Sequence, residues 1–502
     1  MAARQSTRKA AKKATAKSSA GKRKLRTYDG PAEWIMPMME EVYSRLRPKE
    51  QDDRPVAKRS PAPRSTVKAA KGKSTRPFVS AYQDGQGESA FAVLPKEYWA
   101  DKLKEYHTRR SDSPGRLRGL VSRITAPVRG AMPVIPGQNN WTPLGPGVVE
   151  HAQTDNRAAI SGRIAGIAVA PGGLRMYVAS ANGGVWRSDD AGRRWRSTMD
   201  GFDQDPNNFA SASLVCGAIA IDPANPDRIY VGTGEGDTDA IFSSRITSAL
   251  PAYRGIGPIR SDDGGATWAL ESSTPSLAGF AFFQIAVDPA DPEHCVAATT
   301  NGLYERTTSA SGWARRRTGS HSSVVVARAG AVTTWFAAVF GGAVFTSTNG
   351  TSWASVGTGF PAGAGRVALG MQRDNPNIVY AVIATTGGAL DSVRRLDGGA
   401  GAWKVAASPP NFLPGPQGDY DLCIAVDPNN ANRIYLGGSY FNGGNFPGSI
   451  WRCDVAPSGA AYTIASASIG QNAHADVHVL VHTPADSNIL WTGTDGGLFV
   501  NL

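Results

Sequence analysis

"GRIAGIAVAPGGLRMYVASANGGVWRSDDAGRRW" occupies residues 162–195, and its reading decides the fold. An apolar run ends in a Gly-rich turn, and a second run carries Tyr177. Gly183 and Gly184 follow, then a third run into the polar turn before Trp195. Short apolar runs bounded by turn signals read as strands. The same order returns in "GAIAIDPANPDRIYVGTGEG" (217–236), which resumes after an insertion as "GPIRSDDGGATW" (257–268). It returns again in "FFQIAVDPADPEHCVAATTNGLYERTTSASGW" (282–313) and in a fourth copy ending "GAVFTSTNGTSW" (342–353). Residues 366–403 and 420–459 hold two more, and "HADVHVLVHTPADSNILWTGTDGGLFVNL" (474–502) is the last.

A period of about fifty residues with four short strands per copy predicts an all-β, seven-bladed β-propeller over residues 140–502. The last copy stops before its Trp-containing outer strand. "NWTPLGP" (140–146) is a Trp strand with no copy of its own. Pairing it onto the last blade as an N-terminal latch strand closes the ring and leaves no open edge.

Charge separates the propeller from what precedes it. Residues 1–140 hold 30 Lys+Arg and 13 Asp+Glu, a net of +17. Subtraction from the totals of 53 and 42 leaves 23 and 29 for the remainder, a net of −6. Residues 1–80 are rich in Lys, Ala, Ser and Pro, a composition with little to bury, and read as a basic disordered arm. Such an arm suits nucleic acid or an anionic surface, or serves only solubility. Within it, "PAEWIMPMMEEVYSRL" (31–46) reads as a short amphipathic helix with Trp34, Ile35, Met38, Met39, Val42 and Leu46 on a docking face. Residues 81–139 read as a linker with a helical patch near 95–125.

No run reaches membrane-spanning length. The basic start lacks the apolar stretch of a secretory signal, so the cytoplasm is the default expectation. Cys216, Cys295, Cys423 and Cys453 are far apart and lack metal spacing, which predicts buried thiols and not disulfides. Nothing points to an oligomer, and a monomer is expected.

"SDDAGRRW" (188–195) and "SDDGGATW" (261–268) share the pattern Ser-x-Asp-x-Gly-x-x-Trp through Ser188, Asp190, Gly192 and Trp195, and Ser261, Asp263, Gly265 and Trp268. Each Asp can accept backbone N–H bonds inside a tight hairpin, Gly supplies the permissive dihedral, and Trp packs between sheets. On these motifs residues 140–502 resemble the Asp-box (BNR-repeat) propellers. That superfamily includes sialidases, xyloglucan hydrolases, sortilin-type receptors and photosystem II assembly factors. The resemblance implies that the Asp-boxes are structural and lie away from the binding face. The chemistry must therefore come from the other side.

Loops at that other side meet around the central channel. Arg163, His321, Arg366, Asp419, Asp421, His474 and Asp476 precede the first strands of their copies, and Asn182, Glu235, Asn301 and Asp495 lie between second and third strands. Glu235, Asp421, Asp476 and Asp495 are thereby expected at one mouth as candidate catalytic carboxylates. Arg163, Arg366, His474 and His478 are the candidate ligand-binding residues. Crowded carboxylates raise one another's pKa and suit acid/base work or the binding of a polyol. They also suit a divalent cation at the channel mouth, although no cofactor or metal is called for. An extended "HADVH" would hold His474 and His478 about 13 Å apart at Cα, too far to share one ion. Asp222, Asp288 and Asp427 belong to Asp-Pro turns at the opposite end.

The enzyme families resembled here are matched only in part. Ala181 stands where xyloglucan hydrolases carry an acidic residue. Of the three arginines that sialidases need, Arg163 and Arg366 supply two. Two functions stay open: a binding scaffold for protein or glycan across the channel mouth, and a glycoside hydrolase using paired carboxylates.

Overall fold

The computed structural model describes residues 161–199, 214–237, 253–361, 363–399, 401–440, 447–471 and 473–502, together with Val42, Arg45 and Leu46. The expected latch at 140–146, the linker at 81–139 and the rest of the arm lie outside the described residues.

The chain is all-β and propeller-like. Strands Ile164–Val169, Met176–Ser180, Gly184–Ser188 and Arg196–Ser197 form an up-and-down meander, each antiparallel to the one before. Meanders of four strands recur from Cys216, Phe282, His321, Ala364 and Cys423, and three strands follow from Val477. The first strands pack in cyclic order, and Val477–Thr483 returns against Ile164–Val169. These inner strands are apolar runs with most residues buried, which is why they do not alternate. They also run so close together that Gly217 has no substitute. A Cβ there would lie 2.4 Å from the carbonyl oxygens of Gly234 and Phe282.

Hydrogen bonding divides the sheets less evenly than the repeats do. Among the described residues there are six sheets, one of them eight-stranded. In that sheet the outer strand Lys404–Ala407 pairs parallel with Ala461–Ser468, placing Ala406 opposite Tyr462 and joining two meanders.

The repeated aromatic residues tie neighbouring meanders together. Tyr177, Tyr230 and Tyr380 each sit on a second strand and are fully buried. Their hydroxyls donate to the carbonyls of Pro226, Pro292 and Ala431 in the next meander, at 3.0, 2.8 and 2.8 Å. In the other direction, Trp268 and Trp403 donate to the Thr198 and Val356 carbonyls of the preceding meander, at 2.9 and 3.2 Å. Trp195, Trp268, Trp353 and Trp403 precede the outer strands instead of lying in them, as the repeats had suggested.

Both Ser-x-Asp turns close on themselves. Ser188 Oγ accepts from the Gly192 N–H at 2.8 Å, and Asp190 Oδ1 accepts from the Arg194 N–H at 2.8 Å. Ser261 and Asp263 repeat this with Gly265 and Thr267, both at 2.8 Å. Asp222, Asp288 and Asp427 likewise accept backbone N–H bonds from Ala224, Ala290 and Asn429 in their own turns. All four cysteines are buried and free. No described helix is long and apolar enough to cross a membrane.

The arm touches this body. Val42 and Leu46 are buried in a cluster with Ile167, Val169, Ile489 and Trp491, contributed by the first and last meanders. A Cβ on Gly173 would lie 2.7 Å from Leu46 and 2.9 Å from Thr483, so Leu46 fills the seam between those meanders. Arg45 pairs with Asp486 at 3.8 Å.

Candidate functional site

Five meanders send polar side chains into the mouth of the channel. Arg163 precedes the first inner strand, and Glu235 and Asp237 follow the strand Ile229–Thr233 of the second meander. Arg366 lies in Ala364–Gln372 of the fifth, and Tyr420 and Asp421 precede Cys423–Asp427 of the sixth. The last meander supplies Asp476, His478 and Asp495.

These residues join into one ionic hub. His478 Nδ1 lies 2.9 Å from Asp237 Oδ2, and its Nε2 lies 2.8 Å from Asp495 Oδ1. Arg366 Nη1 reaches Asp237 Oδ1 at 2.6 Å and donates to the Asp419 and Tyr420 carbonyls at 3.0 and 2.9 Å. The Tyr420 hydroxyl accepts from Arg163 Nη1 at 2.7 Å and donates to Asp495 at 2.7 to 2.8 Å. Arg163 also lies 3.5 Å from Glu235 and 3.7 Å from Asp495, its guanidinium over the rings of Tyr420 and Tyr253. The Tyr420 ring meets the His478 ring edge-on at 4.9 Å.

Burial and charge push these groups apart in pKa. Burial, then the neighbouring Asp237, raises Glu235 to about 8. Burial, then the neighbouring Asp476, pushes Asp421 well above the carboxylate range. Burial, then Asp495, also raises Asp476. Asp495 goes the other way: burial opposes ionisation, but His478, Tyr420 and Arg163 outweigh it and hold its pKa down. Asp237 is also depressed, because Arg366 and His478 outweigh its burial. Burial pulls His478 down, yet its bonds to Asp237 and Asp495 win and raise it to about 10.

The four carboxylates expected at the mouth, Glu235, Asp421, Asp476 and Asp495, are placed in this one neighbourhood with Arg163, Arg366 and His478. Local expectations differ in places. Residues 474–478 are not extended: Asp476 has φ 61°, so the chain bends between the two histidines. His474 turns aside, with Nδ1 2.9 Å from the Ala475 carbonyl and its ring against Gly496. The Asp495 side chain bonds Tyr420 and His478. His321, whose Nδ1 lies 2.8 Å from the Gly319 carbonyl, makes no bond to the hub, and Asn301 bonds Tyr304 and Arg315 of its own meander.

Three hub residues were missed in the sequence. Asp237 stands just beyond "GTGEG", one glycine after Glu235, so their two-residue spacing was the available signal. Tyr420 sits between Asp419 and Asp421, but its partners lie in other meanders. Tyr253 belongs to the insertion of the second meander, pairs through its backbone with Glu235, and is 42% exposed.

No protein-family model and no curated protein matches this chain. Solved structures do. An ancestral GH74 enzyme is 17% identical over 69% of this chain and 45% of its own, with a TM-score of 0.48. The GH74 xyloglucanase from Xanthomonas campestris is 18% identical over 68% of this chain and 52% of its own, with a TM-score of 0.49. YCF48 from Cyanidioschyzon merolae is 15% identical over 68% of this chain and 96% of its own, with a TM-score of 0.43. The chain spans about half the length of these two GH74 structures.

Proposed function

We propose that this protein is an Asp-box propeller whose channel mouth binds a glycan without cleaving it. Its ring has seven blades, and residues 140–146 supply the outer strand of the last. The Ser-x-Asp turns and the cyclic packing of the inner strands support this architecture.

One observation carries the functional reading. The carboxylates best suited to acid/base work are sealed: Glu235 is 1% exposed and Asp421 0%. Glycoside hydrolysis needs two carboxyl groups flanking the scissile bond, and these two cannot touch a sugar where they stand. What the mouth presents is Tyr253 beside Arg163 and Asp495. An aromatic face with a few fixed polar groups suits a pyranose ring and its hydroxyls. Arg366, His474 and His478 are buried and act in this reading as the frame beneath the ligand.

Hydrolysis is favoured by a different observation. Glu235 keeps its proton near neutral pH while Asp495 stays ionised, and an acid and a base held apart in pKa are what a glycosidase requires. Burial of Glu235 ranks this reading second.

A glycan array probed with the full-length protein tests the proposal. Binding should be lost in Tyr253→Ala and in Asp495→Asn, with the fold retained by circular dichroism. Binding unchanged in both variants, or none by the parent, contradicts it.

A further inference from the structure

Beneath the mouth, Glu235, Asp237 and His478 bring one ligand atom each to within 4.8 Å of one another, and all three residues are buried. The loop that carries the carboxylates is pressed into one course. A Cβ on Gly234 would lie 2.4 Å from the Phe280 carbonyl, and one on Gly236 would lie 2.8 Å from the Phe283 ring.

A second observation points to a ligand at this spot. Neither carboxylate oxygen of Glu235 has a hydrogen-bond partner, although the residue is 1% exposed. Arg163 stands 3.5 Å from Oε2, beyond a good hydrogen bond. Buried carboxylate oxygens in this state call for a donor or a cation.

The surroundings have the outer arrangement of a metal-binding histidine. Metal-bound imidazoles commonly donate their other N–H to a carboxylate. His478 Nε2 lies 2.8 Å from Asp495 Oδ1, and Tyr420 orients Asp495 in turn. Arg366 takes Asp237 Oδ1, leaving Oδ2 turned toward His478 Nδ1.

We propose that Glu235, Asp237 and His478 Nδ1 form a buried site for one divalent cation. Two carboxylates and one imidazole suit manganese or zinc better than calcium. Without the cation, a proton on Nδ1 faces Asp237 in its place. The cation would cross-link the second meander to the last, and the proposal stands whether or not the mouth takes a glycan.

The test uses the full-length chain, stripped with chelator and then titrated with MnCl2 or ZnCl2. Metal per chain is measured after desalting, and the melting temperature is followed in parallel. The parent should retain about one equivalent and melt higher with metal. Glu235→Gln should weaken retention about tenfold or more, as should Asp237→Asn. Asp288→Asn, in a distant turn, should bind like the parent. If Asp237→Asn does not fold, Glu235→Gln decides. A parent that retains neither metal, or a folded Glu235→Gln variant that retains it equally, overturns the proposal.

Discussion

His478 and Asp237 are 241 positions apart in the chain and 2.9 Å apart in the fold, and the same imidazole reaches Asp495 at 2.8 Å. This contact spans from the last meander to the second, and Arg366 of the fifth meets the same carboxylate. Removing one partner of a buried charge group strands the others. Asp237→Asn in metal-free buffer should therefore cost about 3–5 kcal/mol of unfolding free energy. Denaturant titration measures it, and a loss under about 1 kcal/mol, the range of an exposed pair, would show that the hub does not hold the ring.

Leu46 should act as a clasp. It fills the seam between Gly173 and Thr483, so Leu46→Ala should cost about 2–5 kcal/mol, as other buried leucines do. Leu46→Asp should cost more. A Leu46→Asp variant that melts with the parent would mean that the arm contributes nothing to closure.

His294 should make stability depend on pH. Its Nε2 lies 2.9 Å from Glu305 and its Nδ1 3.5 Å from Asp288. Burial lowers its pKa, but the bonds to Asp288 and Glu305 outweigh burial and raise it to about 9. Because the folded value exceeds the ordinary 6.5, this contribution is complete below about pH 6.5 and is lost as pH rises through 9. Unfolding free energy measured at about pH 6 and at about pH 9.5 should fall in the parent and fall less in His294→Gln. Equal falls in both proteins would remove His294 from the account.

The proposed latch predicts a specific failure. Deleting residues 140–146 should leave the edge of Gly497–Asn501 unpaired and promote aggregation. Light scattering on heating would report it. A deletion variant that melts and scatters like the parent argues against the latch.

The propeller-like architecture was legible because its signals are periodic. Tyr177, Tyr230 and Tyr380 recur at one place because each ties its strand to the next meander. The outer-edge pairing of Ala406 with Tyr462 was not legible, since no local pattern marks which edges meet. At the mouth, a shared position in the repeat was enough to gather Glu235, Asp421, Asp476 and Asp495. The bonding of Asp495 was not readable, because it depends on Tyr420, which lies in another meander. The bend at Asp476 was also hidden: a left-handed dihedral at a non-glycine residue leaves little trace in sequence.

Oligosaccharide binding and the release of new reducing ends, followed together in one sample of the full-length protein, test the central claim most directly. The account predicts binding that Tyr253→Ala abolishes, with no new reducing ends at any pH between about 5 and 9, the span of ordinary and raised carboxyl ionisation. New reducing ends from the parent that disappear in Glu235→Gln would make the mouth a hydrolase and contradict it.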